Sequence, residues 1–257
     1  MVFTGSVAAG RDVATRCGQR LKRAVLELGG KDPLIVDAGT DPEWAARMAA
    51  SGAFANAGQV CTSVERIYVH RDVAAPFTEA LVALAQGMVV GDPFDDATTM
   101  GPMAHRTQRD VVTGQLRDAV SGGARVLSGG RALPGDGAFH EPTVVDGADD
   151  RMDLMRHETF GPVAAIRVVR DFGEALVRAA ASPYGLAATV LTPDMRNAIR
   201  AVRELPVGTV KVNDVWGGAP GGSAEPRGVS GQGLGYGPGL FDELTVLKVL
   251  HVSPPPV

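Results

Sequence analysis

The chain has 257 residues, 45% of them hydrophobic and 21% charged, with a formal net charge of −4. That is enough to bury a full core in one or two domains, and a mild acidity without runs of like charge gives no electrostatic reason for nucleic acid or an anionic membrane as a partner. Two cysteines, Cys17 and Cys61, build no disulfide framework and no CxxC or Cys/His spacing points to a metal. No apolar run approaches the ~18 residues of a membrane span, and the N-terminus lacks a signal-peptide core, which together predict a cytoplasmic protein.

In chain order, Val2-Phe3-Thr4 reads as the end of a strand and Ser6 to Cys17 as a helix opening on Gly5-Ser6. Ala24 to Leu28 is a strand candidate, followed by Gly29-Gly30 and a second strand at Pro33 to Val36. Asp41-Pro42 has the cap and first-turn residues of an alanine-rich helix through Phe54. A strand at Arg66 to His70, helices at Val73 to Met88 and Thr107 to Ser121, and a strand at Ala124 to Leu127 come next. The alternation resumes with strands at 163–169, 187–191 and 207–212 around helices at 173–181 and 195–204. A glycine-rich loop is expected over 217–239 and a last strand over 245–252. Strands separated by helices of ten or more residues predict an α/β fold with a largely parallel sheet.

Four stretches carry chemistry. GSVAAG, residues 5–10, follows a strand and opens a helix, so its amides suit a phosphate, although the same spacing serves close backbone packing. Glu27 is an acid inside an apolar strand. If buried it is a candidate general base, and if it alternates outward it is a solvated strand residue. Cys61 lies in ANAGQVCTSVERIYV among small and polar residues, which suggests backbone amides left free, whereas structural cysteines usually sit in apolar runs. Glu158, before Phe160-Gly161-Pro162, is either a presented carboxylate or an ordinary loop acid.

FTGSVAAG, ELGGKDP, NAGQVC and ETFGPV, in that order, resemble the aldehyde dehydrogenase superfamily, and YGLAATV and GTVKVND resemble two further stretches of it. The likeness loosens between Trp216 and Leu240, where the family commonly shows a glycine-lysine-serine-glycine pattern and this chain reads PGGSAEPRGVSGQGLGYG. The resemblance implies an aldehyde-dehydrogenase-like catalytic domain, a parallel-rich sheet flanked by helices, over residues 30–229. It implies a remnant of the NAD(P)-binding domain over 1–29 and a C-terminal loop and oligomerisation strand over 230–257. It implies NAD or NADP as cofactor and a small-molecule aldehyde as substrate. Cys61 would be the nucleophile and Glu27 the base that helps deprotonate it and later activates water. Gly5, Ser6, Gly29, Gln108, Glu158 and Phe160 would contact the cofactor, with Glu158 on the nicotinamide ribose, and Thr62 and Trp216 the substrate. Family members are longer than this chain, so a complementary N-terminal half or a homo-oligomer is the expected partner. Two other classes stay open: an inactive interaction module, or a cofactor-independent esterase working through Cys61 and Glu27. Cys17 matches no family role and reads as a packing residue.

Overall fold

The computed structural model describes residues 1–217 and 221–255. The first half runs β1 (Val2–Thr4), α1 (Val7–Gly18), β2 (Val25–Glu27), β3 (Asp32–Val36), α2 (Pro42–Phe54), β4 (Val64–His70), α3 (Arg71–Gln86), α4 (Arg106–Ser121) and β5 (Arg125–Ser128). The second half runs β6 (Thr143–Asp146), α5 (Asp153–Arg156), β7 (Val163–Val169), α6 (Phe172–Ala180), β8 (Tyr184–Gly185), β9 (Ala187–Leu191), α7 (Met195–Glu204), β10 (Thr209–Val212), β11 (Arg227–Gly228), β12 (Gly231–Gln232) and α8 (Gly239–Leu244).

The fold is α/β, as the alternation predicts. A seven-stranded sheet has the order β10-β9-β3-β4-β7-β6-β5, with every neighbouring pair parallel except β5 and β6. Its middle strands β3, β4 and β9 are buried along their whole length, the state of parallel strands covered by helices on both faces. Local chemistry sets the helix starts. Asp41 accepts the Trp44 amide with Pro42 in the first turn, and Asp171 and Asp194 cap α6 and α7 in the same way. On α2, Ala45, Ala46, Ala49 and Ala53 are fully buried. Their small side chains let the helix lie close to α3 and the sheet.

A second, three-stranded sheet pairs β1 parallel with β2 and β12 antiparallel on the other side of β2. The chain passes from β2 to β3 through only Leu28 to Lys31, so the carboxyl ends of β1 and β2 face the amino ends of the large sheet.

Three readings are corrected. The apolar alternation over 245–252 forms no strand: Val246, Leu247, Val249 and Leu250 are 84–103% exposed. Strand propensity needs a partner to donate and accept ladder hydrogen bonds, and the described residues offer this segment none. The glycine-rich loop contains β11 and β12 and touches α8, and β6 is an interior strand that the sequence pattern did not mark. Residues 218–220 of that loop lie outside the described residues. Among the described residues no helix is long and apolar enough to cross a membrane.

Because Ala49 is wholly buried on the face of α2 that packs on α3 and the sheet, Ala49→Leu should cost about 1–3 kcal/mol of stability through overpacking. A lowered urea midpoint is the expected outcome, and an unchanged midpoint would contradict the packing described.

Candidate active site

Between α2 and β4 the backbone turns through three successive left-handed residues, Asn56, Ala57 and Gly58, with φ of 52°, 54° and 72°. For the two non-glycine residues this costs roughly 1–2 kcal/mol each, and side chains hold the turn. Asn56 Nδ2 donates to the Gln59 carbonyl at 3.0 Å, Gln59 Nε2 donates to the Asn56 carbonyl at 3.0 Å, and Gln59 Oε1 accepts the Ala104 amide at 2.7 Å. A Cβ on Gly58 would strike the carbonyl of Gly161, so only glycine lets this turn rest on the loop that carries Glu158. The turn ends by presenting Cys61, which is exposed.

Cys61 and Glu27 together line two cavities. One, of about 350 Å³, is also lined by Gly5, Ser6, Gly29, Gln108, Glu158 and Phe160. The other, of about 210 Å³, is also lined by Thr62, Lys211, Trp216 and Tyr236. The structure thus brings together the residues singled out in the sequence, six on one side of the thiol and carboxylate, and Thr62 and Trp216 on the other.

Electrostatics gives the two central groups their resting state. Burial pushes the Cys61 thiol above its ordinary range, and the charges of Asp32 and Glu27 push it further, while the Thr62 and Cys61 amides oppose both. The thiol therefore rests protonated and needs a base. Burial likewise raises the Glu27 carboxyl, with the Gly235 backbone opposing. Among the described residues Glu27 Oε1 has no hydrogen-bond partner, so this buried oxygen is open to a proton.

Glu158 is held at the turn between the sheets. Its Oε1 accepts the Gly30 amide at 3.1 Å, and its carboxylate fills the space that a Cβ on Gly29 would occupy. The Gly29-Gly30 pair is a requirement of close approach, since a Cβ on Gly30 would strike the Cys61 carbonyl. Burial first, then the Glu65 charge, raises Glu158 to about 7 against the opposing Gly30 amide and Lys31.

The loop bearing Glu158 is fixed from beneath by residues that the sequence pattern did not single out. Lys31, 1% exposed, donates to Glu65 Oε2 at 2.6 Å and to Thr159 Oγ1 at 2.8 Å. Glu65 accepts the Thr159 and Phe160 amides, both at 2.8 Å. Gln115 Nε2 donates to the Glu158 carbonyl at 3.1 Å, and Gln108 Nε2 to the Thr159 carbonyl at 2.7 Å. Gln108 thus spends its amide on the loop while lining the cavity. Ser6 caps α1 by accepting the Ala9 amide at 3.3 Å, Gly5 donates its amide to the Glu27 carbonyl at 3.1 Å, and Trp216 Nε1 donates to Ser51 Oγ at 2.7 Å. The signal for Glu65 was a charge within the strand run VERIYV; no local pattern marks Lys211.

The first cavity has features that suit the nicotinamide-ribose end of a dinucleotide. The Gly5-Ser6 turn that opens α1 lines it, Glu158 keeps Oε2 clear of hydrogen bonds among the described residues, and Phe160 supplies an aromatic ring.

The model of the aldehyde dehydrogenase family matches residues 1–250. The chain is 40% identical over 213 residues to the succinate semialdehyde dehydrogenase Sad of Escherichia coli K12, named for NAD(P)+, covering 83% of this chain and 46% of that protein. The betaine aldehyde dehydrogenase of Staphylococcus aureus in complex with NAD+ superimposes with a TM-score of 0.90 at 32% identity, over 94% of this chain and 49% of that one. The lactaldehyde dehydrogenase of Escherichia coli superimposes with the same score and identity, over 94% and 51%. The chain spans about half the length of the curated relatives it matches.

Two outcomes follow from the buried acids. Lys31→Met should cost about 3–5 kcal/mol, because Glu65 is left charged and buried, and a urea titration measures it. Glu158 titrates near 7 folded against 4.5 in its ordinary state, so the folded chain retains this proton and the associated stability is full below about pH 4.5 and lost as pH rises towards 7. The urea midpoint should therefore fall between about pH 5 and pH 7.5 more steeply in the wild type than in Glu158→Gln; parallel profiles would refute the assignment.

Proposed function

The chain belongs to the aldehyde dehydrogenase family, and on that premise we propose that it oxidises an aldehyde to a carboxylic acid with NAD or NADP. The observation that carries the reading is that Cys61 and Glu27 form the shared wall of two cavities, one suited to a dinucleotide and one to a small substrate. The sequence division into a cofactor-domain remnant, a catalytic domain and a C-terminal segment is kept as part of this proposal, with β12 of the C-terminal segment completing the N-terminal sheet.

Cys61 rests as a thiol, so attack on the aldehyde carbon is coupled to loss of its proton, and Glu27 is the acceptor in the same cavity. The new C–S bond converts the carbonyl oxygen to an oxyanion, which the Cys61 amide and a second donor would receive. A dinucleotide bound in the larger cavity would supply the acceptor for the hydride that leaves the adduct, with its ribose hydroxyls on Glu158 Oε2. Glu27 then takes a proton from a water that attacks the thioester, the C–S bond breaks and Cys61 is regenerated. Burial raises the Glu27 carboxyl, which makes it a stronger proton acceptor than an ordinary carboxylate. The relatives named above act on succinate semialdehyde, betaine aldehyde and lactaldehyde, substrates whose distal groups are respectively anionic, cationic and neutral.

Activated-ester hydrolysis tests the cysteine and the base without cofactor. With 4-nitrophenyl acetate, Cys61 should carry the acetyl group by mass spectrometry, and Glu27→Gln should accumulate it by slowing deacylation about 10²-fold or more. In the enzyme that carries this chain, the same variant given aldehyde and NAD or NADP should release one equivalent of reduced nicotinamide and then stall. Glu158→Gln should slow the oxidation without trapping acyl-enzyme. Acyl groups accumulating in the Glu158 variant but not in the Glu27 variant would reverse the assignment.

A further inference from the structure

The smaller cavity beside Cys61 has one cation among its described lining residues, Lys211 on β10. The side chain is 8% exposed, and its Nζ donates to the Val215 carbonyl at 2.6 Å. Its other two hydrogens meet no acceptor among the described residues. At the start of β3, Asp32 is 4% exposed, with Oδ1 taken by the Ala187 amide at 3.1 Å and Oδ2 without a partner. Burial lowers the Lys211 amine below its ordinary range, with the charges of Asp32, Asp214 and Cys61 opposing, and Asp32 forms no hydrogen bond with it. A buried ammonium with unspent donors is costly unless something accepts them. Here the amine faces a cavity, so a ligand oxygen can do so.

The acids on the cavity are placed differently. Glu225 is exposed, and its Oε1 accepts the Gly233 amide at 3.0 Å, so water screens its charge. Glu27 is the base, and burial favours its neutral form. Trp216 and Tyr236 stand half-exposed at the mouth. A fixed charge acts most strongly where it is least hydrated, and on this wall that charge is Lys211.

We infer that Lys211 forms an anion subsite in the Cys61 cavity, which selects aldehydes carrying a carboxylate a short aliphatic distance from the carbonyl. The inference rests on the reading of this cavity as the substrate side of Cys61. It distinguishes among the distal charges seen in the relatives by a residue of this chain.

Two alkylating agents of nearly equal size and opposite character test it on the chain itself. In each, the thiolate sulfur displaces iodide from carbon, the C–S bond forming as the C–I bond breaks, and the thiol proton passes to buffer. Iodoacetate carries a carboxylate, whereas iodoacetamide is neutral. The ratio of their rates at Cys61, read by peptide mass spectrometry, cancels any change in thiol ionisation, and Cys17 of the same chain is the reference. Cys17 is a stringent one, since Arg16, Arg20 and Lys22 lie close by in sequence. The ratio at Cys61 should exceed that at Cys17 by about fivefold or more, and should fall to the Cys17 value in both Lys211→Met and Lys211→Gln. The second variant can retain the bond to Val215 without the charge. A wild-type ratio at or below that of Cys17, an excess that survives Lys211→Gln, or faster labelling of Cys61 by cationic 2-bromoethylamine than by iodoacetate would overturn the subsite. Failure of iodoacetamide to label Cys61 would instead remove the nucleophile reading, and the anion subsite then stands or falls on whether iodoacetate alone still labels Cys61 in a Lys211-dependent way.

Discussion

Lys31 and Glu65 meet almost wholly out of water, and a pair so placed is stable only when its remaining hydrogen-bonding capacity is used. The loop that carries Glu158 uses it: two consecutive backbone amides and one threonine hydroxyl close on the pair. The same lysine follows the Gly29-Gly30 step, so the ion pair fixes the joint between the sheets and the Glu158 loop together. Phe160 is kept at φ 45°, a conformation that a non-glycine residue keeps only when its surroundings over-determine it. Cys61 is held at one remove, through the contacts of its carbonyl with Gly30 and of Gly58 with Gly161.

Open parallel sheets usually place their ligands beyond the carboxyl ends of the strands. Here the large sheet does the reverse. Asp32, Cys61, Glu158, Ala187 and Thr209 all precede or open strands of that sheet. The exception has a geometric origin: the four-residue link from β2 to β3 folds the small sheet back, so that the carboxyl ends of β1 and β2, with Ser6 and Glu27, face those amino ends. The site lies between sheets of opposed polarity, which explains how carboxyl groups from both sheets come to crowd around a single thiol. Burial raises the Cys61, Glu27, Asp32 and Glu158 groups above their ordinary ranges, and neighbouring carboxylates add to it at Cys61, Asp32 and Glu158.

Much of the fold was legible because its signals are local. Asp41-Pro42 and Asp194 mark helix starts by chemistry that acts within one turn, and the buried runs of β3, β4 and β9 read directly as covered parallel strands. The 245–252 segment forms no strand in the single chain because its alternation reports a preference, whereas a strand is a relation between two segments. The site was legible to a lesser degree. Glu27 could not be told from a solvated strand acid by periodicity, and only the wording of ELGGKDP and its companions separated the two readings. Lys31 and Glu158 stood in that same wording, but the Glu65 that fixes both lies on β4, between them in the chain. Their meeting depends on strand order, which no local pattern contains.

The pairing of β12 with β2 has a consequence for how the protein is made. Gly231 and Gln232 complete a sheet begun at Val2, Gln232 reaches back to the Ala24 carbonyl, and Gly235 lies against the carboxylate of Glu27. A ribosome adding about 5–20 residues per second delivers Cys61 and Glu27 many seconds before the segment that encloses them. The large sheet, whose strands all lie before residue 213, can therefore form while the catalytic acid is still open to water. The site is therefore enclosed only after the segment carrying β12 has been made, and until then Cys61 and Glu27 lack the burial that raises both groups.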